Sequence, residues 1–335
     1  MIPTAPCPAF SLADLAVDPR AETERIEKVI RDQVHRQLRR KGVVLGISGG
    51  VDSSVTAALC VRALGADRLL GLFMPERDSS ADSFDLGRLL ADHLGIPTAL
   101  EDVSHTLQAA GCYQRRDEAL RSVFPVYGPG CKSKIALPSL FEGAGYRIFS
   151  AVIQTPDGQV HRKRLPLEAY RQLVAATNFK QRVRKMMEYY HADRLHYAVA
   201  GTPNLLEYDQ GFFVKNGDGS ADLKPIAHLY KGQVYHLAEF LGVPQQIRSH
   251  PPTTDTYSLE QTQEEFFFSL PYDRMDACLY GKNHNVPKEQ VAAAIGLTVE
   301  QIERVYRDID AKRNAARYLH EKPLLVDEAI AACDG

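Results

Sequence analysis

The chain has 335 residues, of which 44% are hydrophobic and 24% are charged, and its formal net charge at neutral pH is −2. This composition is typical of a globular protein and argues against disordered and fibrous classes. The nearly balanced charge predicts no general attraction to nucleic acid or to anionic membranes.

The distribution of apolar residues and cysteines limits the cellular setting. No stretch is apolar over the 18 residues that a membrane span requires, so we expect no membrane segment. No CxxC pair occurs among the six cysteines, which are Cys7, Cys60, Cys112, Cys131, Cys278 and Cys333. This spacing argues against a zinc site and against a dense disulfide framework. We therefore expect a cytoplasmic protein.

Predicted helices and strands alternate through much of the chain. In order they are a helix at 22–40, a strand at 43–47, a helix at 55–64, a strand at 69–74, a helix at 81–94, and strands at 98–103 and 196–200. Such alternation indicates an α/β fold with a doubly wound, Rossmann-like parallel sheet. Ligands of such sheets bind beyond the carboxyl ends of the strands.

The remaining segments have different patterns. Residues 111–177 interrupt the alternation, and a β-hairpin is predicted there from strands at 146–153 and 159–165 around Thr155-Pro156-Asp157-Gly158. So long an excursion is uncommon unless functional, although an exposed elaboration or an oligomer contact fits as well. Helices are predicted at 232–241, 259–268, 287–294 and 299–318. We expect one domain at 21–320, with an inserted segment at 111–177, a helical C-terminal part at 231–320, and tails at 1–20 and 321–335.

A glycine-containing loop joins the first predicted strand to the next helix. Residues 48–54 read SGGVDSS. The two glycines let the backbone approach an anion closely, and amides at the helix start point outward as donors, joined by the hydroxyls of Ser48 and Ser53. The chain lacks GxxxxGK(S/T) and GxGxxG, which argues against a kinase-type P-loop and a dinucleotide-binding Rossmann loop. We interpret the loop as a pyrophosphate-binding turn.

Two carboxylates are candidate metal ligands. Asp52 lies in the loop, where a carboxylate beside a phosphate is repulsive unless a divalent cation such as magnesium bridges them. Glu207 follows a second predicted loop at the same sheet edge, residues 201–204, and is placed to supply the other carboxylate. Both have structural alternatives, since Asp52 or Ser53 fits a helix N-cap and Glu207 fits a first helical turn.

A basic helical stretch, residues 178–185, is a further candidate for ligand binding. Asn178 and Arg182 are spaced to share one helix face, from which both can reach one ligand, although such faces are also commonly just solvated. The histidines show no HExxH spacing, so no zinc peptidase site is expected, and we expect no covalent serine catalysis either.

The SGGVDSS loop resembles that of the N-type ATP pyrophosphatases, which include NAD, GMP and asparagine synthetases and tRNA-thiolating enzymes. Over residues 25–320 a series of further motifs resembles the NAD synthetase family in particular. They are Met74-Pro75, residues 178–184, Gly201-Thr202 with Glu207, residues 211–219, Asp222, Pro225, residues 231–234, Pro252-Thr253-Thr254-Asp255, and Tyr272-Asp273 with Asp276.

The resemblance implies a two-step amidation. The nicotinate carboxylate of deamido-NAD would attack the α-phosphate of ATP to give an acyl adenylate and pyrophosphate, and ammonia would then displace AMP. Catalysis would rest on positioning and charge neutralisation. The resemblance also implies a homodimer, with ammonia taken up free or delivered by a separate glutaminase.

The resemblance also implies roles for individual residues. ATP would be held by Gly46, Ile47, Ser48, Gly49, Gly50, Val51, Asp52, Ser53, Thr202, Lys231 and Thr253. Asp52 and Glu207 would bind magnesium and, with Lys231, would act in catalysis. Deamido-NAD would be contacted by Arg182, Lys215, Asp222 and Lys312.

The chain departs from the family pattern on the expected acceptor side. Seventy-four residues separate Val103 from Asn178, far more than in the compact bacterial enzymes that it resembles. Ala311 replaces the histidine of a His-Lys-Arg pattern, and Asn216 stands where a tyrosine is usual. Two alternatives stay open: amidation of a different carboxylate, and a non-catalytic nucleotide-binding or sensing protein. The pair Asp52 and Glu207 argues against the second, because binding alone needs no paired magnesium ligands.

Overall fold

The computed structural model describes residues 10–137, 149–251, 257–259, 267–268 and 270–326. Its strands are β1 (Val43–Gly46), β2 (Leu69–Phe73), β3 (Thr98–Leu100), β4 (Lys132–Ala136), β5 (Ser150–Gln154), β6 (Val160–Arg164) and β7 (Ala198–Val199). Its helices are α1 (Pro19–Asp32), α2 (Val51–Leu64), α3 (Ala81–Leu94), α4 (Ser104–Ala109), α5 (Cys112–Val123), α6 (Leu167–Leu195), α7 (Leu205–Gln210), α8 (Lys231–Phe240), α9 (Gln245–Arg248), α10 (Tyr272–Asn283), α11 (Lys288–Ile295) and α12 (Val299–His320).

The central sheet is parallel and covered on both faces. Its strands lie in the order β3-β2-β1-β7, and each neighbouring pair is parallel. Alternate residues of a strand face opposite sides, and here Val43 and Leu45 pack into one core with α1, α2 and α8, whereas Val44 packs into a second core with α4 and α6. The predicted doubly wound α/β fold is therefore confirmed.

The ends of several elements differ from the predictions. Helix α2 begins at Val51, four residues before the predicted start, because the last residues of the SGGVDSS loop already form its first turn. Gly50 is its N-cap, so Asp52 and Ser53 are not N-caps. Helix α1 begins at Pro19 and ends at Asp32, and a π-helical turn, Gln33–Gln37, continues it.

The described part of the excursion between β3 and β7 contains further helices and a second sheet. Strands β5 and β6 form the predicted antiparallel hairpin, and β4, which was not predicted, pairs with β5 to complete a three-stranded sheet. Helices α4, α5 and α6 were also largely missed. The 29-residue α6 packs against the main sheet and against this second sheet, so its apolar residues are spread around the helix instead of forming one stripe.

The C-terminal helices form their own apolar core. Helices α10, α11 and α12 share a buried cluster with residues of α7, and α8, α11 and α12 lie within one or two residues of their predicted bounds. Helix α10 was missed because all five residues 275–279 are buried, four of them apolar and one Asp276, so the helix has no one-sided apolar pattern. Most of the helix predicted at 259–268 lies outside the described residues. None of the described helices is both long and apolar enough to cross a bilayer.

Candidate functional site

The SGGVDSS loop connects β1 to α2 at the carboxyl edge of the central sheet. Gly49 has φ +79°, a left-handed conformation that favours glycine, and a Cβ there would lie 2.4 Å from the backbone oxygen of Ser83. The loop therefore needs glycine at this position for conformation and for the close approach of α3. Asp52 and Ser53 of the first turn of α2 line the cavity at this edge, and a first helical turn has amides without internal partners, which suits an anionic ligand.

The hydroxyl groups of the loop are held by its own backbone. Ser53 Oγ and Ser54 Oγ donate to the carbonyl oxygen of Gly50 at 3.0 and 2.9 Å. Ser48 Oγ lies 3.1 Å from Ser53 Oγ and accepts from the Gly50 amide at 3.3 Å. The paired hydroxyls of Ser48 and Ser53 both line the cavity, where they can donate to phosphate oxygens.

Asp52 lies between two residues from distant elements. Its Oδ2 accepts from Lys231 Nζ at the start of α8, and its Oδ1 accepts from Asn204 Nδ2 at 3.0 Å. The side chain of Lys231 is fully buried, and a buried ammonium requires a nearby negative charge. Asp52 supplies that charge, so the loop and α8 are joined by an ion pair.

Asn204 also fixes the second carboxylate. It is the N-cap of α7, and its Oδ1 accepts from the Glu207 amide at 3.1 Å, while Glu207 Oε2 accepts from the Asn204 amide at 3.1 Å. This reciprocal pair is a capping box. The helix-start interpretation of Glu207 is therefore correct, and the same cap brings Glu207 to the neighbourhood of Asp52 through one asparagine.

The charges in this cluster perturb one another. Burial, reinforced by the negative charge of Asp52, raises the pKa of the Glu207 carboxyl to about 8. Burial also opposes the charge of Lys231, but Asp52 and Glu207 outweigh it and raise the pKa of the ammonium group. The raised pKa values of Glu207 and Lys231 show that this cluster favours additional positive charge. Asp52 and Glu207 carry oxygen donors of the kind that divalent cations prefer, so these two residues could hold such an ion.

A third carboxylate, that of Asp276, contacts the backbone at Lys231. Asp276 of α10 accepts from the backbone amides of Lys231 and Gly232, at 3.1 and 2.7 Å. These amides lie in the first turn of α8, where the helix leaves its N–H groups without internal partners. Burial raises the pKa of Asp276 to about 7. Asp276 anchors the start of α8 and thereby the position of the Lys231 side chain.

The cluster opens into a cavity of about 580 Å³. Its walls come from the loop, the ends of β1 and β2, α3, α6, the start of α7, residues 211–218 and the end of α12. The predicted site residues that line it are Gly46, Ile47, Ser48, Asp52, Ser53, Thr202 and Glu207. Gly49, Gly50 and Val51 complete the loop behind them, and Lys231 reaches this group through Asp52. Thr253 lies outside the described residues.

Charged groups on α6 form the floor of the cavity. Arg184 donates to the carbonyl oxygen of Met74 and to Ser79 Oγ, each at 3.2 Å. Lys185 forms an ion pair with Glu188 at 2.6 Å, and burial raises the pKa of the Glu188 carboxyl. These three residues line the cavity. Arg184 and Lys185 belong to the basic stretch 178–185 that was a candidate for ligand binding, whereas Glu188 was not assigned a role from the sequence.

The four residues predicted to contact deamido-NAD do not line this cavity. Arg182 is exposed and donates to the carbonyl oxygen of Lys215 at 3.3 Å. Lys215 donates to the carbonyl oxygens of Tyr318 and Glu321, at 2.7 and 2.8 Å. It therefore caps the C-terminal end of α12, where cations are favoured.

The other two predicted contacts are also bonded to neighbouring backbone. Asp222 accepts from the Val199 amide of β7 at 2.7 Å and from the Tyr189 hydroxyl at 3.3 Å. Lys312 donates to the carbonyl oxygen of Phe267 at 2.7 Å and pairs with Asp308 at 2.7 Å. The structure thus gathers the predicted phosphate and carboxylate residues and leaves the predicted dinucleotide contacts separate from them.

Asn204 is the main residue of the cluster that sequence reasoning missed. Its signal was available, because Asn204 precedes Glu207 by three residues, which is a capping-box pattern. The cavity residues Glu188 of α6 and Phe149, which precedes β5, had no comparable local signal, since packing alone brings them together.

The fold and the loop define the class of the protein: an α/β chain of the Rossmann-like type, with a phosphate-binding turn at the carboxyl edge of a parallel sheet. The sequence model of the family described as NAD synthase matches residues 22–122 and 150–316. The chain belongs to the NAD synthase family.

Individual proteins agree with this assignment. A relative from Mesorhizobium japonicum, named NH(3)-dependent NAD(+) synthetase, is 60% identical over 311 residues, which cover 93% of this chain and 98% of the relative. The solved NMN synthetase of Francisella tularensis has a TM-score of 0.62 at 21% identity, covering 93% of this chain and all of that chain. The NH3-dependent NAD synthetase of Campylobacter jejuni, solved with a nitrate ion, has a TM-score of 0.61 at 20% identity and the same coverage. These two structures share the fold.

Proposed function

We propose that the chain is an ATP-dependent ligase that amidates deamido-NAD with ammonia to give NAD, AMP and pyrophosphate. The observation that carries this proposal is the 60% identity, over 93% of the chain, to a relative named NH(3)-dependent NAD(+) synthetase. The Asp52–Lys231 pair beside the glycine loop supports the ATP half of the reaction. The carboxylate would attack the α-phosphate, and ammonia would displace AMP from the resulting acyl adenylate.

The chain's own residues would act by positioning and by neutralising charge. The amides of α2 and the hydroxyls of Ser48 and Ser53 would hold the pyrophosphate portion of ATP. Lys231, fixed by Asp52 and Asp276, would stabilise negative charge that develops at the phosphates. Asp52 and Glu207 would hold Mg²⁺, which supplies charge neutralisation at the triphosphate when it is bound.

Residues outside the cavity belong to the acceptor part of the proposal. Arg182, Lys215, Asp222 and Lys312 would contact deamido-NAD, as the resemblance implies. Arg182 lies on the exposed side of α6, which is consistent with a dinucleotide bound partly outside this cavity. We further propose a homodimer in which such residues complete the substrate site.

The setting of the enzyme is part of the same proposal. The described cysteines Cys60, Cys112, Cys131 and Cys278 are free thiols, which supports a reducing compartment such as the cytoplasm. Ammonia would be taken up directly, or it would come from a separate glutaminase.

A second candidate is amidation of a different carboxylate. The observation that favours it is that a structure titled NMN synthetase matches this fold as closely as one titled NAD synthetase, so the fold alone does not select the acceptor. A third candidate, a non-catalytic nucleotide-binding or sensing protein, is opposed by the buried cluster of Asp52, Glu207 and Lys231.

One assay separates the three candidates. The purified chain is incubated with ATP, Mg²⁺, an ammonium salt and deamido-NAD, and NAD, AMP and pyrophosphate are quantified together. We expect the three products in equal amounts. Pyrophosphate and amide formed only with nicotinate mononucleotide or another acid would establish the second candidate. No turnover with any acid, alongside measurable ATP binding, would establish the third.

A further inference from the structure

The part of the chain that the family model skips contributes to the cavity. The first matched stretch ends at residue 122, and the second begins at residue 150. The intervening residues include β4 and Phe149, and Phe149 lines the cavity. A segment outside the family pattern therefore contacts the same space as the glycine loop.

Phe149 is one member of a group that we call the aromatic wall, which comprises Phe149, Tyr170, Val174 and Tyr257. All four residues line the cavity. The rings of Phe149 and Tyr170 are stacked, with centroids 4.4 Å apart and planes inclined by 17°. The side chain of Tyr257 is hydrogen-bonded to that of Thr177 on α6.

The aromatic wall packs against a set of buried residues. Its four members pack against a separate core built from α5, β4, β5 and the first half of α6. Strand β4 also holds the loop that carries Tyr257, because the Ser133 amide donates to Ser258 Oγ at 2.9 Å and the Ser133 carbonyl accepts from the Leu259 amide at 3.2 Å. The skipped segment thus positions Tyr257 as well as supplying Phe149.

A stacked aromatic pair at a cavity surface suits one particular ligand chemistry. Planar rings bind to such surfaces by offset stacking or edge contacts, with little dependence on hydrogen-bond pattern. Both substrates of the proposed reaction contain planar rings. ATP already has apolar partners near the loop, since Ile47, Phe73 and Phe84 line the cavity beside Ser48. The aromatic wall comes from other elements, so it remains available to bind the acceptor.

We propose that Phe149 and Tyr170 bind a planar ring of the dinucleotide acceptor, and that the skipped segment thereby sets acceptor specificity in this chain. This proposal rests on the proposed function, because it takes deamido-NAD as the acceptor. It gives the enlarged segment a role in the site, in place of an exposed elaboration or an oligomer contact.

The test uses four variants of the full chain. Phe149→Leu and Tyr170→Leu remove one ring each, Tyr170→Phe keeps the ring and removes the hydroxyl, and Val160→Ala changes an exposed residue of β6 that does not line the cavity. Melting temperatures report whether each variant is folded. The KM values for deamido-NAD and ATP are measured separately, and dissociation constants for both ligands are measured by calorimetry without turnover.

We expect both leucine variants to raise the KM and the dissociation constant for deamido-NAD roughly 10-fold. The values for ATP should change less than about two-fold, and Tyr170→Phe and Val160→Ala should match the parent chain. A larger loss of affinity for ATP than for deamido-NAD would assign the aromatic wall to the adenine ring and would overturn the proposal. Unchanged binding in both leucine variants, or a loss in Tyr170→Phe equal to that in Tyr170→Leu, would also overturn it.

Failure of this proposal can be told apart from failure of the proposed function. A parent chain that makes no NAD contradicts the proposed function, whatever the variants do. A parent chain that makes NAD while the leucine variants bind deamido-NAD normally contradicts only the role of the wall. If Phe149→Leu does not fold, the Tyr170 pair decides whether the aromatic wall binds a ring of the acceptor, since Leu and Phe at position 170 both lack the hydroxyl and differ in the aromatic ring.

Discussion

The loop side of the cavity and the predicted dinucleotide residues use charge in different ways. On the loop side, Asp52, Lys231 and Asn204 come from three elements and meet in one buried cluster. Lys215 and Asp222, by contrast, are bonded to backbone groups of α12 and β7. The first set is organised toward the cavity, and the second set stabilises the ends of neighbouring elements.

This difference separates contacts that the folded chain has already formed from contacts that a bound ligand would have to form. The loop side needs only residues that the sheet brings to one edge, so its geometry is already formed. Of the dinucleotide residues, Arg182, Lys215 and Asp222 are exposed or half-exposed, so their present bonds can be exchanged for ligand bonds, whereas the side chain of Lys312 is largely buried. We therefore expect substitutions on the loop side to abolish chemistry, and those on the outer side to weaken acceptor binding.

The largest effect is expected for Asp52→Asn. It removes the charge that pairs with Lys231 and half of the proposed cation site, so kcat for pyrophosphate release should fall on the order of 10³-fold. The rate is measured with saturating ATP and deamido-NAD, and circular dichroism checks the fold. Asp92→Asn, on the exposed side of α3, is the matched control. Turnover within ten-fold of the parent would remove Asp52 from the catalytic account.

A buried ion network that joins α5, α6 and the connection between β2 and α3 provides the next test. Lys180 is fully buried and pairs with Glu76 at 2.7 Å and Asp78 at 2.8 Å, and Arg116 pairs with Asp78 at 2.5 Å. Lys180→Met leaves buried carboxylates without their main partner and should lower the free energy of unfolding by about 3–5 kcal/mol. Urea unfolding measures this free energy, and Lys132→Met, at an exposed position, is the control.

The same network predicts a pH dependence. Burial acts to raise the pKa of Asp78, but the charges of Lys180 and Arg116 outweigh it and hold the pKa below its ordinary value. A carboxylate with a lowered pKa stabilises the fold above its unfolded pKa of about 3.9 and loses that contribution as pH falls through the lower folded value. Removal of Lys180 takes away the largest cause of that lowering, so the carboxylates left unpaired in the variant should protonate at a higher pH than in the parent, and the difference in stability should shrink as pH falls toward about 4. A constant difference across this range would contradict the charge assignment.

Gly49→Ala tests how closely the loop must be packed. Its Cβ would lie 2.4 Å from the Ser83 carbonyl oxygen in a left-handed conformation, so the loop must shift, and KM for ATP should rise on the order of 10-fold to 100-fold. Gly95→Ala is the control, because Gly95 has φ +63° but nothing within 4 Å of the added carbon. Equal KM values for the two variants would show that the approach of α3 to the loop is irrelevant to ATP binding.

The smallest effect is expected on the outer side, for Lys215→Met. Loss of one half-exposed ammonium should raise the KM for deamido-NAD roughly 5-fold, while the KM for ATP stays unchanged. The exposed Lys322→Met in the same C-terminal region is the control. A change in melting temperature with no change in either KM would show that Lys215 serves only to cap α12.

Local patterns in the sequence were sufficient for the central fold. Buried strands such as Val43–Gly46 and Leu69–Phe73 are short apolar runs followed by helices with clear stops, so the parallel sheet and the position of the loop could be predicted. The loop fixed the place of Asp52, and the order of strands at the sheet edge brought Glu207 close to it.

The rest depends on contacts between distant residues. Strand β4, KSKIA, alternates charged with small or apolar side chains and is recognisable only once β5 lies beside it. Phe149, Tyr170 and Tyr257 are far apart in the chain, and packing of α6 against the second sheet brings them together. The bonds of Lys215 to the end of α12 likewise join residues more than 100 positions apart.

The transfer of oxygen from the acceptor to AMP tests the central claim most directly. Deamido-NAD labelled with ¹⁸O in both carboxylate oxygens is converted with ATP, Mg²⁺ and ammonium, and the products are analysed by mass spectrometry. Attack of the carboxylate on the α-phosphate predicts one ¹⁸O atom in AMP, one in the amide of NAD and none in pyrophosphate. AMP without label, or label in inorganic phosphate, would contradict adenylation of the acceptor at the glycine loop.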